Sequence, residues 1–578
     1  MSKPVHKNKQ LQQARIRLII MAGIVLCINV LASYFHTGLD LTREKRFTLT
    51  EPTKNLLRKM DEVAVVDVYL KGKFPAGLQR LQEGVRERLR SFKEYAGNKL
   101  IFRFIDPFEG KTDKEKKQIA HDLANKGINV MELKTQDDEE FSMKTFFPYA
   151  LVQYKGREMP IYLLDAPPGR TAEEQISFSE AMLEYTFANA INRLSKAEKP
   201  SLAYITGHGE PLDIGTYDLL TRITGLYTVD TVDLTRVLSI PSTYNAIIVN
   251  QPTQTFSGPD KLKLDQYIMR GGKALWVMNT MNANLDSLAL NGQFIAMEHQ
   301  TDLDDMLFKY GVRVNFDLLE DLQCNPLPRT MNGGKPEMHD WVYFPRINPT
   351  SQHPVVKNMD LLLASFTNTI DTIKMQGINK TVLLHSSRYS RAARSPVRVS
   401  LSMMSYPLRH EMFTRSYLPV AVLLEGQFHS LYEGRLAPEY LRLLDSLKVP
   451  FKSKCDKDGA MIVTSLGDAF VNGYSQKDGV LPMGYFKYTG EFFANRAFLL
   501  NALEYLTDNS GILEARSKDV KLRLLDKGRV KAEKGTWQFV NVVIPIAIVL
   551  VFGSFYLFFR KRRYEVRYTT TKPDRPNA

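Results

Sequence analysis

Leu202-Ala203-Tyr204-Ile205-Thr206-Gly207-His208-Gly209-Glu210-Pro211 is a short apolar run that stops at a glycine-flanked polar turn. An apolar run of that length, bounded by glycine, reads as a buried strand feeding a loop. The pattern returns downstream. Residues 228–234 read as a strand, 246–250 as a buried strand ending in Gln251-Pro252, and 274–278 as another short apolar strand. Helical stripes at 217–224 and 261–269 alternate with them, the second closed by Gly271-Gly272. Strand, helix, strand at this spacing predicts parallel pairing in a doubly wound α/β domain over 196–315. A helix over 303–310, ended by Gly311, belongs to it.

Upstream, residues 37–195 read as a separate α/β domain. Thr50 with Pro52 marks a helix start. Residues 63–70 form a β-branched run, and 78–95 carry a helical stripe of Leu78, Leu81, Val85, Leu89 and Phe92. A strand at 100–105 ends in Asp106-Pro107, 150–154 and 159–164 flank Lys155-Gly156 as a hairpin, and 178–194 is amphipathic. Downstream, 316–517 continues the ectodomain less regularly. Residues 325–354, rich in Pro, Asn and Gly, predict long loops or an insertion. Strand-like runs return at 381–385, 418–424 and 461–465, and a last helix is expected at 494–506.

Two apolar stretches, 18–35 and 537–559, bracket all of this. Spanning a bilayer takes roughly 20 apolar residues, so each predicts a transmembrane helix. Two helices anchor a domain but build no pore, so transport needs a partner. Lys3, Lys7, Lys9, Arg15 and Arg17 precede the first, and Arg560-Lys561-Arg562-Arg563 follows the second. The positive-inside rule then places both termini (1–17 and 560–578) in the cytoplasm and the middle outside, periplasmic in a bacterium, with the inner membrane between. The competing reading of 18–35 is a cleaved signal peptide with Val30-Leu31-Ala32 as its cleavage site.

The net charge of +14 sits beside these spans: residues 1–17 carry +5, 560–578 carry +5 and the linker region 518–534 carries +4, leaving the rest neutral. That placement suits lipid headgroups and argues against a nucleic-acid partner. Three cysteines are too few for a disulfide framework, although Cys324 and Cys455 could pair outside the cell, and no Cys/His cluster has zinc spacing.

Chemistry is expected at the strand ends, where doubly wound sheets bind ligands. The candidate ligand-binding residues are Thr206, Gly207, His208, Gly209, Glu210, Asn250, Gln251 and Asn279. The competing reading makes the glycines a tight turn and His208 a packing residue. No catalytic residue and no cofactor is assigned. A glutamine-amidotransferase-like enzyme needs a cysteine or serine at a strand–helix elbow, and no G-x-S-x-G occurs. Gly333-Gly334-Lys335-Pro336 lacks the rest of a P-loop. Arg388, Arg391, Arg394 and Arg398 read as a polyanion site or, more simply, as a solvated loop or interface.

Several ordered motifs resemble the GldG family. They are Thr42-Arg43-Glu44-Lys45-Arg46-Phe47-Thr48-Leu49, Phe104-Ile105-Asp106-Pro107, Tyr204 to Glu210, Leu418 to Gly426, Asn501 to Asp508, Arg516-Ser517-Lys518 and Leu522 to Asp526. The resemblance implies a gliding-motility-associated, non-enzymatic auxiliary component of an ABC transporter, with a GATase1-like middle domain. It also implies a multi-spanning GldF-like permease and a cytoplasmic GldA-like ATPase as partners. A ligand-sensing or substrate-binding ectodomain and a degenerate membrane-tethered hydrolase are the alternatives.

Overall fold

The computed structural model describes residues 5–34, 48–72, 74–137, 140–164, 170–329, 335–446, 450–455, 457–517 and 527–564. It divides into two compact units, Met1–Val520 and Lys521–Ala578.

The first unit opens with helix α1, Val5–Tyr34. It covers the expected first span up to Tyr34; Phe35 lies outside the described residues. Ile16, Leu18, Ile24 and Leu26 on it are exposed. After it comes helix α2, Glu51–Arg58, with Thr50 as N-cap and Pro52 in the first turn, where a missing N–H is harmless. Strand β1, Ala64–Val68, follows, then helix α3, Ala76–Ala96, and strand β2, Leu100–Phe104. The apolar stripe expected on α3 is its buried face, from Leu78 to Phe92. Strands β3, Tyr149–Tyr154, and β4, Arg157–Tyr162, form the expected hairpin. The sheet order is β2-β1-β3-β4, with β1 parallel to β2 and antiparallel to β3. Helix α4, Ala172–Ser195, starts in a capping box between Thr171 and Glu174 and packs with α3. Together they cover one sheet face around Phe92, Phe187 and Ile191. The other face carries an element the sequence pattern did not expose, a helix at Asp113–Asn125 whose Leu123 packs with Phe147 and Leu151. A hairpin at Met131–Asp137 and Glu140–Phe146 is likewise additional.

The second sheet has seven strands. β5, Ser201–Thr206, is followed by helix α5, Tyr217–Leu226, and β6, Thr228–Asp233. β7, Ala246–Asn250, helix α6, Gly258–Met269, and β8, Lys273–Val277, come next. The returning runs are β9, Ile378–His385, β10, Pro419–Gly426, and β11, Gly459–Thr464. They join the same sheet, in the order β9-β10-β11-β8-β7-β5-β6. β11, β8, β7, β5 and β6 are parallel, while β10 and β9 are antiparallel to their neighbours. Covered faces explain why β7 is apolar at four consecutive positions: Ala246 and Ile248 pack on one side, Ile247 and Val249 on the other. On the first side lie α5 and helix α7, Asn495–Thr507; on the second lie α6 and the helix Asp304–Tyr310, which stops at Gly311 with φ +107.

Residues 325–329 and 337–347, expected in long loops or an insertion, are strands instead. Cys324–Arg329 and Glu337–Ile347 pair antiparallel, and Trp341, Tyr343 and Phe344 enter a further core. Proline misled the reading. The Cys324–Arg329 strand pairs on one side only, and an edge strand tolerates Pro326 and Pro328. Cys324 and Cys455 are both buried free thiols, so the pairing considered above is absent.

The second unit contains helix α8, Lys527–Tyr564, with Pro545 inside it. Among the described residues one helix is long and apolar enough to cross a membrane, Ala532–Arg562 within α8, with mean hydropathy 2.6.

Candidate functional site

The chain leaves β5 to build β6 on one side, then crosses to build β7 on the other. Carboxyl ends of parallel strands at such a reversal open onto a crevice. The 206–211 turn stands there, and its backbone demands glycine. Gly207 has φ +113, and a Cβ on it would meet Asp233 Oδ1 at 2.7 Å; Gly209 has φ +80, and a Cβ would meet Thr253 Oγ1 at 2.1 Å.

Between them His208 is locked from every side. Its carbonyl accepts from Thr253 N (3.0 Å) and Gln254 N (2.9 Å), which ties the loop after β7 to the loop after β5. The ring stacks on Phe256 at 3.7 Å, and Nε2 lies 3.2 Å from Asp260 Oδ2. Ser257 caps α6 by accepting from Asp260 N and donates its hydroxyl to the same Oδ2 at 2.6 Å, and Lys263 Nζ reaches Asp260 Oδ1 at 2.7 Å. Burial lowers the His208 pKa, against the pull of Asp260. The ring is therefore neutral near pH 7, and its Nδ1 has no hydrogen-bond partner.

Glu210 is also buried. Its Oε2 accepts from His208 N at 2.7 Å, while Oε1 has no partner. Burial raises its pKa, outweighing the backbone donors. Beneath the turn Asn250 donates to Tyr204 Oη at 3.0 Å, and Tyr204 donates to Pro211 O at 2.6 Å. Asn250 Oδ1 is left unpartnered. Three fully buried polar atoms thus sit unpaired on two adjoining strand ends, where native structures usually satisfy such groups.

Gln251 and Asn279 are brought together on the neighbouring strand ends. Gln251, at φ +48, donates from Nε2 to Gly467 O at 2.9 Å, and a Cβ on Gly467 would lie 3.1 Å from both Asn279 Cβ and Gln251 Cδ. Thr206 contributes its carbonyl to Leu234 N at 3.0 Å. Next to Gly467 comes a carboxylate the sequence reading passed over. Asp468 is partly buried, and burial pushes its pKa up to about 7. Its signal was available: Ser465-Leu466-Gly467-Asp468 follows a recognised strand run just as Thr206-Gly207-His208 follows another. Asp260 and Phe256, which fix His208, carried no comparable signal, because a helix cap and a lone aromatic look ordinary in sequence.

Chemically the adjoining ends of β5 and β7 offer two unpaired oxygens, Glu210 Oε1 and Asn250 Oδ1. Among the described residues no group of three His, Cys, Asp or Glu is placed to hold a metal. A separate cavity of about 1000 Å³ lies at the opposite, amino end of the strands, lined by Lys273, Glu425, Gly459 and Asp508.

Comparison with known proteins places this architecture. Residues 199–502, which span the seven-stranded sheet, match the family described as an ABC-type uncharacterized transport system. The chain belongs to that family. An auxiliary role in ABC transport and association with transporter components follow from the membership at that level. The upstream domain matches a domain of unknown function, DUF7088, over residues 43–153. An uncharacterized protein of Borreliella burgdorferi is 19% identical over 571 residues, covering 96% of this chain and 99% of its own. Among solved structures, the mmIFT52 N-terminal domain aligns over 54% of this chain and 98% of its own, with 13% identity and a TM-score of 0.30. An exo-β-1,4-mannosidase of an Opitutaceae bacterium aligns over 81% and 55%, with 10% identity and a TM-score of 0.18. Nothing is carried to this chain from likenesses that slight.

Proposed function

We propose that the protein is a non-enzymatic auxiliary subunit of an ABC transporter complex linked to gliding motility. Two terminal helices hold it in the inner membrane with both termini cytoplasmic, and its periplasmic ectodomain works beside a GldF-like permease and a GldA-like ATPase. Family membership supports the transporter role, and the apolar α8 with the basic cluster in its last turns supports the anchorage. The observation that carries the reading is where the ectodomain begins and ends. Thr50, near its start, and Arg516, near its end, dock on consecutive residues of α4. Thr50 N donates to Glu184 at 2.7 Å, and the Arg516 guanidinium lies 5.1 Å over the Tyr185 ring. Ile512 packs in the same core as Leu49 and Leu57. Displacement of either membrane-proximal segment therefore acts on one helix, and through it on both sheets. Replacing 40–46 and 518–534 with Gly/Ser linkers is expected to abolish gliding while leaving membrane abundance and co-purification with the permease unchanged. Unimpaired gliding would refute mechanical coupling.

A second reading, a ligand-sensing ectodomain, is favoured by the unpaired atoms of His208, Glu210 and Asn250. Thr206, Gly207, Gly209, Gln251 and Asn279 would shape that site. A His208→Ala, Glu210→Ala double variant with wild-type behaviour would remove it.

A further inference from the structure

A cavity of about 360 Å³ opens beneath residues 401–413 and shares no lining residue with the strand-end crevice. Trp341, Met403, Met404 and Phe413 give it apolar walls. Trp341 is 1% exposed, and its Nε1–H has no acceptor. Native interiors leave few such donors unpaired. The loop above is exposed at every position from Ser405 through Met412, with Tyr406 72% and Met412 51% exposed. Large apolar side chains on show around a thioether-lined cavity are a surface that adapts to an incoming side chain.

Charge specifies the rest. Residues 386–415 hold six arginines against one carboxylate, Glu411. Arg391 is already committed, to buried Glu320 at 2.5 Å. Arg409, in the cavity lining, and Arg388, 5.9 Å over the Tyr389 ring, form no ion pair among the described residues. Tyr389 in turn meets His410 edge-on at 5.5 Å, which brings Arg388 to the loop. Asp340 in the lining offsets one of these charges.

We propose that this cavity is the docking site for a segment of a partner protein that presents an apolar side chain beside carboxylates. The side chain enters between Met403, Met404 and Phe413, a carboxylate or carbonyl of the segment accepts from Trp341 Nε1–H, and flanking carboxylates pair with Arg388 and Arg409. The assignment rests on the cavity and its charge, independently of the transporter reading.

Fluorescence anisotropy on the full-length protein in detergent micelles tests it. The probe is a dye-labelled nonapeptide with a central Phe flanked by glutamates. Saturable binding is expected, weakened about tenfold by Arg409→Glu and severalfold by Trp341→Phe, which keeps a ring but removes the donor. Arg409 is exposed, so its variant folds, and Arg90→Glu on α3 controls for a charge change elsewhere. Replacing Phe with Ala in the peptide should cost as much as Arg409→Glu. Absence of saturable binding, equal binding of a lysine-for-glutamate peptide, or indifference to Arg409→Glu overturns the proposal. Displacement of the peptide by phosphatidylglycerol vesicles that is lost in Arg409→Glu would assign the surface to lipid and overturn it as well.

Discussion

Thr50 places both its backbone N and its Oγ1 against Oε1 of Glu184, at 2.7 and 2.9 Å, across 134 residues of chain. Glu184 is fully buried, and its other oxygen lies 3.6 Å from the nearly buried Arg88. One carboxylate thereby holds the segment that leads into α2, the α3–α4 packing and the neighbourhood of Tyr185. Glu184→Gln keeps the volume but removes the charge that faces Arg88 and accepts from Thr50, and should cost about 1–3 kcal/mol. Thr50→Val keeps the backbone donor but removes the hydroxyl from both Glu184 and Thr53, and should cost about 1–2 kcal/mol. Denaturation midpoints of the full chain in mild detergent measure both. Adding Arg88→Met to Glu184→Gln should recover part of the loss. A Glu184→Gln variant as stable as wild type would show that the carboxylate is not the clamp.

The turn after β5 gives a second, separable expectation. Gly209→Ala suffers twice, from a left-handed backbone that costs about 1–2 kcal/mol for an L side chain and from the Thr253 Oγ1 that its Cβ would overlap. Adding Thr253→Ala relieves the overlap but not the backbone. Gly209→Ala should therefore destabilise less in the Thr253→Ala background than in wild type, and thermal unfolding of wild type and the three variants reads the difference directly.

Sequence reading recovered those elements whose local signal and tertiary role agree. The stripe on α3, the four apolar residues of β7 and the turn at Gly207–Gly209 all point the same way locally and globally. It missed the helix at Asp113–Asn125, whose one buried side chain is Leu123, because a single anchor leaves no periodicity to see. It lost the strand at Cys324–Arg329 to its prolines, which only the one-sided pairing excuses. The partnership of β9, β10 and β11 with β8 spans roughly two hundred residues and leaves no local trace. At the site, the strand-end turn was legible and the packing that immobilises His208 was not, since stacking on Phe256 exists only once α6 is in place.

The cysteines offer a chemical check. Burial pushes the Cys324 thiol up to about 12, so its thiolate fraction at pH 7 is of order 10⁻⁵. Cys455 is buried and donates from Sγ to Ile268 O at 3.2 Å. Neither should react with a maleimide in the native protein, and both should react once denaturant is added. Gel mobility should be the same with and without reductant. Rapid native labelling at either position would contradict the packing described.

The strand-end carboxylates make stability depend on pH in a way that one substitution isolates. The Asp468 pKa is raised to about 7 by burial, whereas an unfolded aspartate titrates near 4. Between those values the native protein keeps a proton that the unfolded chain has released. Stability therefore falls as pH rises from about 4 to about 7, and it levels off above that, with a slope of at most about 1.4 kcal/mol per unit. Solvent reaching the partly buried group reduces the slope. Glu210, also raised by burial, adds the same sign. His208, lowered by burial, has the opposite one: below about pH 6.5 the unfolded chain takes up a proton that the native ring refuses, so stability drops as pH falls. Comparing wild type with Asp468→Asn cancels every group the two share. The variant should gain melting temperature over wild type at pH 7.5 and show little or no gain at pH 4.5. An equal difference at both pH values would mean that Asp468 is already ionised in the native protein at pH 4.5 and that burial does not raise its pKa.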